Sequence, residues 1–304
     1  MVQKMISTRY QVVFYAENAY YFQYFCHLFT NLQERKIKIC YITSDANDPV
    51  FALRNENTDV VFSKSTLAFA FSRIQAEVVI MTMPDLDRFI IKKSKQVKKY
   101  IYVFHAMVST HQQYRSHAFD HYDAILMAGP HHQRELREAE EMYKLPSRDL
   151  IPYGYPLLDD LSERLFAVQR MEGQVLIAPS WYEEGILQTC IHEIVEGLSQ
   201  TSHKVFIRPH PEFIKRNKTS FKKLLAKTRE HSGIQIDTNP SLWNSLLSSD
   251  WLVTDRSGIA FEFAFVKKRP VVFIDTPPKI QNPEVDRFSS QPVENLFRDQ
   301  LGFR

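Results

Sequence analysis

The chain has 304 residues, 44% of them hydrophobic and 24% charged, with a formal net charge of +3, the profile of a globular protein long enough for two domains with a core each. So small a charge, with no long basic block, argues against nucleic acid as a partner but leaves room for an anionic ligand or the edge of a membrane. Three scattered cysteines, no apolar run near the ~20 residues of a membrane span and no apolar core behind MVQKMISTRYQVVFY argue against a disulfide framework, a spanning segment and a signal peptide. Reduced thiols in a cytoplasmic protein follow, associated at most with the inner face of the plasma membrane.

In chain order, YQVVFYA and KIKICYIT read as strands flanking the aromatic segment AYYFQYFCHLFTNLQE. That segment suits a core-facing helix or, less well, a face that touches a membrane. TDVVFS, AEVVIMTMP and KYIYVFHA continue as strands, the last ending in His105. YDAILMAGP and the charged helix HHQRELREAEEMYK complete the first half, with Asp123 a structural polar group ahead of its strand. Histidines 111, 117, 121, 131 and 132 crowd this region. Only His117 and His121 stand four apart, with no cysteine beside them, so no metal site is expected.

The stretch LPSRDLIPYGYPLLDDLSERLFAVQRMEGQ, rich in Pro, Gly and charge, fits a junction, giving domains at 1–165 and 166–304. Beyond it strands and helices alternate strictly: QVLIAPS, helix EEGILQTCIHEIVEGLSQ, KVFIRP, helix FKKLLAKTREH, GIQID, helix PSLWNSLLSS, WLVTD, helix SGIAFEFAFVKK and PVVFID. Such alternation demands crossover connections, hence an α/β fold with parallel sheets and helices on both faces. Ligands of such sheets sit at the carboxyl ends of strands.

Four strand ends carry polar clusters: His105; Ser180 with Trp181; Arg208-Pro-His210-Pro; and Thr254-Asp255-Arg256-Ser257-Gly258. Two prolines stiffen the RPHP loop, and Arg and His held side by side suit an anionic oxygen. A rigid connection whose Arg and His pair with local carboxylates is the alternative. Thr254 to Gly258 reads equally as a helix cap and as a phosphate site at a helix start. The eight glycines form no G-x-G-x-x-G, Walker or G-x-S-x-G pattern, so a phosphate here must be held by helix starts and by Arg, His and Ser.

His105 after its strand, GYPLLDDL, VLIAPSW, IRPHP and SDWLVTDRSGIAFEFAFVKKRPVVFID, in that order from about Tyr100 to Asp275, resemble the CDP-glycerol glycerophosphotransferases of teichoic acid and capsule synthesis. The resemblance implies a GT-B architecture, two Rossmann-like domains with parallel sheets facing an interdomain cleft, the first on the acceptor side and the second binding the nucleotide donor. It implies a transferase in which an acceptor hydroxyl attacks the β-phosphorus of CDP-glycerol and CMP leaves. His105 would be the base, His210 would assist the diphosphate, and Asp255 would belong to the catalytic set. Ser180, Arg208, Thr254, Arg256, Ser257 and Gly258 would line the donor site. No tightly bound cofactor is implied beyond a CDP-polyol donor. The acceptor would be a polyol phosphate or glycan, lipid-linked in the family, and peripheral membrane contact fits.

Three features depart from the family pattern. His105-Ala106-Met107-Val108 stands for His-Gly-x-Pro, and Asp255-Arg256-Ser257-Gly258 for Asp-Tyr-Ser-Ser. The chain ends at LFRDQLGFR without the long closing helix of a GT-B fold, so a shortened second domain is expected. A nucleotide-sugar glycosyltransferase or epimerase, and a non-catalytic scaffold in capsule assembly, are the competing readings.

Overall fold

The computed structural model describes residues 2–168, 172–239 and 241–303. The chain forms two compact units, Met1–Leu157 with Gln281–Ser290, and Leu158–Ile280 with Gln291–Arg304. The division thus falls a few residues before the 165/166 boundary read from sequence, and the segment 281–290 returns to the first unit.

In the first unit, strands β1 (Arg9–Ala16), β2 (Ile39–Thr43), β3 (Thr58–Phe62), β4 (Gln75–Met81), β5 (Val97–Val103), β6 (Ala124–Met127) and β7 (Asp149–Pro152) form one sheet, ordered 3-2-1-4-5-6-7. Every pairing is parallel. All of β2 and β6 is buried, as expected of strands covered on both faces. The aromatic segment resolves into a 3-10 helix (Ala19–Tyr24) and an α-helix (Cys26–Glu34). Phe25 and Phe29 are fully buried and pack edge-on or tilted against Phe14 and Tyr41. The segment turns one face to the core and leaves its first turn and the opposite face, with His27, Thr30, Asn31 and Glu34, at the surface.

In the second unit, β8 (Gln174–Ile177), β9 (Lys204–Ile207), β10 (Ile234–Ile236), β11 (Trp251–Thr254), β12 (Val271–Phe273) and β13 (Gly302–Phe303) are ordered 10-9-8-11-12-13, again all parallel. Both sheets reverse winding direction beside their first strand, next to β4 in one and β11 in the other. A doubly wound sheet offers its crevice there, above the carboxyl ends. The helix expected over 183–200 breaks into Ile186–Thr189 and Ile191–Ser199, because Cys190 leaves helical φ/ψ (φ −136°, ψ 15°). All three cysteines are free thiols; Cys40 is buried and the others half-buried. Among the described residues, no helix is long and apolar enough to cross a membrane.

Candidate functional site

His105 stands just beyond β5 and is half-buried. Its Nδ1 lies 3.1 Å from the Thr82 carbonyl oxygen and 3.4 Å from the Tyr102 hydroxyl. A carbonyl only accepts, so Nδ1 carries the proton and Nε2 keeps a lone pair. Tyr21, Tyr24 and Tyr114 meet the ring in edge contacts, and Tyr155 donates from its hydroxyl to the His105 carbonyl. Burial pushes the His105 pKa down to about 4, against the Thr82 contact. At neutral pH this is an uncharged imidazole with a basic nitrogen held ready.

The turn after it lacks the glycine and proline of the family pattern and is fastened otherwise. His132, stacked on Phe104 with ring centres 3.7 Å apart, accepts from the Ala128 amide at Nδ1 and donates from Nε2 to the Val108 carbonyl. Buried Glu135 accepts from both the amide and the hydroxyl of Thr110. Burial works to raise its pKa, but His111 and the Thr110 donors outweigh that and hold it below the usual carboxylate range.

The His117–His121 pair does not form a site on a helix face. His117, at φ 64°, pairs with Asp120 at 2.7 Å, and the helix nearest before it is only Thr110–Gln113. Its four-residue spacing from His121 therefore marks no helical face. Asp123 takes the predicted structural part, accepting from the Tyr100 amide at 2.7 Å.

In the second unit the winding reversal lies between β8 and β11, and Asp255 sits there fully buried. One of its oxygens accepts the Ser180 amide at 2.8 Å and the Arg256 amide at 2.6 Å. The other accepts the Ile186 amide at 3.2 Å. The carboxylate thus pins the loop after β8, the helix start at Ile186 and its own turn. Thr254, also fully buried, ties its hydroxyl to the Ala178 carbonyl at 2.8 Å. Arg256 is spent as well: Nε and Nη2 donate to the Thr276 carbonyl and Nη1 to Asn295 Oδ1. The knot from Thr254 to Arg256 is a brace. Ser257 and Ser180 differ, since neither hydroxyl has a hydrogen-bond partner among the described residues. Gly258 has ordinary helical angles (φ −60°, ψ −22°) at the start of Ile259–Lys267.

The RPHP loop divides its two polar residues between tasks. Arg208 donates to Asp237 at 2.9 Å, and Asp237 also accepts from Ser245, so Arg208 stiffens the loop. His210 Nδ1 accepts the Glu212 amide at 3.2 Å as a helix cap. The proton must then sit on Nε2, which faces away as a donor. The residue is open to solvent on one side, yet its ring is crowded by Trp181 at 5.9 Å. That crowding and the Lys279 ammonium push its pKa down to about 4.

Several residues here escaped the sequence reading. The Trp181 ring is approached by Arg216 at 5.2 Å and Lys279 at 5.8 Å as well as by His210. Burial lowers the Lys279 pKa, opposed by the carboxylates of Asp255 and Glu294, and its ammonium has no hydrogen-bond partner among the described residues. Tyr182 joins the loops after β8 and β12 through Thr276 and the Pro277 carbonyl. Arg298 bonds the Asp255 carbonyl at 2.7 Å and Asp275 at 2.9 Å. Lys279 follows PVVFID in the sequence, one more strand end to which the same rule applies. A Cβ on Gly185 would lie 2.7 Å from the Tyr182 ring and 3.1 Å from Asp255, so the close turn there requires glycine.

A cavity of about 640 Å³ lies elsewhere in the second unit: His203, Lys204, Gly233 and Ile234 line it at the amino ends of β9 and β10. A doubly wound sheet does not place its ligand at that edge.

Solved structures share the fold. A wall teichoic acid polymerase, TagF, in a crystal soaked with CDPG, aligns with a TM-score of 0.57 and 13% identity over 87% of this chain and 69% of its own. UDP-N-acetylglucosamine 2-epimerase from Rickettsia bellii aligns with a TM-score of 0.59 and 11% identity, over 86% and 78%. The UDP-GlcNAc 2-epimerase of Methanocaldococcus jannaschii, in complex with UDP-GlcNAc and UDP, aligns with a TM-score of 0.55 and 11% identity, over 93% and 87%. These likenesses establish the GT-B type of fold, two Rossmann-like α/β domains. No curated protein matches the sequence. The model of one protein family, however, matches residues 2–276. With that span and the strand-end residues in place, the chain belongs to the CDP-glycerol:poly(glycerophosphate) glycerophosphotransferase family and is a transferase of that kind.

Proposed function

We propose that the chain transfers glycerol phosphate from CDP-glycerol to a hydroxyl of a teichoic acid-type polymer, with the donor on the second unit and the acceptor on the first. The acceptor oxygen bonds to the β-phosphorus, the bridging P–O bond to CMP breaks, and the acceptor proton passes to Nε2 of His105. Phosphoryl transfer asks mainly for positioning and charge stabilisation. The Lys279 ammonium supplies charge at the diphosphate and His210 a hydrogen bond from Nε2, with the hydroxyls of Ser180 and Ser257 beside them. Asp255, Thr254, Arg256 and Arg208 act through these groups as positioning residues. A polymer grown on a lipid carrier puts the reaction at the cytoplasmic face of the membrane.

The observation that carries this reading is the cluster around Trp181 of two cations, Arg216 and Lys279, with the neutral His210 donor, beside the winding reversal of a family member. The epimerases share the fold, so the choice of donor is the test. Purified protein incubated with CDP-glycerol and a poly(glycerophosphate) primer is expected to release CMP and lengthen the primer. Release of UDP from UDP-GlcNAc, with CDP-glycerol left intact, refutes the reading.

A further inference from the structure

The crossover between β4 and β5 is an irregular loop, and it presents apolar side chains outward. Phe89 is 54% exposed and Ile90 75%, while their neighbours Leu86 and Ile91 are 1% and 6% exposed. The buried pair roots the loop in the core of the first unit and the exposed pair forms its tip. The loop is also braced. The Asp87 amide donates to the Ile91 carbonyl, the Asp87 carboxylate accepts the Lys93 amide, and the Asp85 amide donates to Ala118. Asp85 and Asp87 hold left-handed φ of 63°, so the tip is a fixed shape.

Basic side chains gather about the tip, Arg88 and Arg115 paired with Asp85 and Lys92 and Lys95 left without a carboxylate among the described residues. From Arg88 to Lys99 the sequence RFIIKKSKQVKK holds six cations and no acid, against a net charge of +3 for the whole chain. The guanidiniums of Arg88 and Arg115 lie 5.7 and 5.4 Å from the Phe89 ring. Lys92 and Lys95 are exposed, and neither meets a carboxylate within ion-pair distance among the described residues; Lys92 bonds only the Asp87 carbonyl. A second protein surface would need a matching apolar socket. A lipid headgroup layer needs none: apolar tips enter the acyl boundary while a basic rim meets anionic headgroups.

We infer that Phe89 and Ile90, rimmed by Lys92 and Lys95, form the surface by which the chain sits on an anionic bilayer. The loop begins at Thr82, whose carbonyl fixes His105, so it fastens this unit to the membrane next to the residue proposed as base. The inference extends the proposed function by naming the surface, and its test uses no donor, so either can fail while the other stands.

Cosedimentation of the full chain with vesicles of phosphatidylcholine alone, or mixed with phosphatidylglycerol, tests it. Binding is expected only to the anionic vesicles and should fade as salt is raised. The double variant F89S/I90S should bind at least about tenfold more weakly, and K92E/K95E at least about 30-fold more weakly. Both should keep the wild-type unfolding midpoint, since all four residues are exposed. Absence of vesicle binding, wild-type binding by both variants, or a dimer in solution that F89S/I90S dissolves would overturn the inference.

Discussion

His105 and His210 are the same residue type set to opposite tasks by one hydrogen bond each. The Thr82 carbonyl forces a proton onto Nδ1 of His105 and leaves Nε2 basic. The Glu212 amide takes the Nδ1 lone pair of His210 and leaves Nε2–H as a donor. Burial of His105, and for His210 the crowding of its ring together with the Lys279 charge, bring both pKa values down to about 4, so each is neutral at physiological pH and its tautomer matters more than its charge. The acid limb of the rate profile should accordingly fall near pH 4, where His105 takes up a proton, instead of near the ordinary ~6.5. A limb centred at 6.5 would contradict that assignment. Arg256 makes a second residue-scale case. All three of its guanidinium nitrogens are bonded to Thr276 and Asn295, a fork that lysine cannot copy. Arg256→Lys should lower stability by about 1–2 kcal/mol in urea unfolding and leave the KM for CDP-glycerol within about twofold, since no donor phosphate is assigned to it. A large rise in KM with unchanged stability would make it a phosphate ligand.

At the scale of elements, the loops after β8, β11 and β12 are held as one assembly by polar side chains. Asp255 is its centre, with three backbone amides on one carboxylate. Asp255→Asn turns one acceptor into a donor and sets it against an amide. The expected cost is ~1–3 kcal/mol in urea unfolding, together with loss of CMP release; full stability with full activity would show that the pin is dispensable. The strand ends bearing this assembly were legible in the sequence, because buried parallel strands read as short apolar runs with polar stops. The partners were not. Whether Arg208 reaches a ligand or Asp237 depends on β10 lying beside β9, which no local pattern states. Strand β7 was missed because its four residues are half-buried or exposed and end in a proline. The segment 281–290 was missed because it carries no periodicity and is tied on by single contacts, such as Ser290 with Glu138 and Phe288 stacked on His111.

At the scale of the molecule, the repeated order 3-2-1-4-5-6 explains how a glycine-poor chain can serve a nucleotide donor. Each sheet opens a crevice by its winding, and side chains supply what a glycine loop would. The buried histidines carry a cost in acid. Burial pushes His132 down to about 3 and His105 to about 4, so between those values and ~6.5 the unfolded chain binds protons that the native chain refuses. Stability therefore rises with pH through that window, is complete above about 6.5 and is lost as pH falls, by on the order of a few kcal/mol. The urea midpoint should be clearly lower at pH 4.5 than at pH 7, and His132→Asn should flatten that dependence. Equal midpoints at the two pH values would mean that these imidazoles are not held neutral.

The most direct measurement pairs donor binding with transfer in His105→Ala and His210→Ala. His105→Ala should bind CDP-glycerol as the wild type does but extend the primer on the order of 10²–10⁴-fold more slowly, whereas His210→Ala should lose donor affinity as well as rate. Wild-type transfer by His105→Ala would contradict the role of His105 as base.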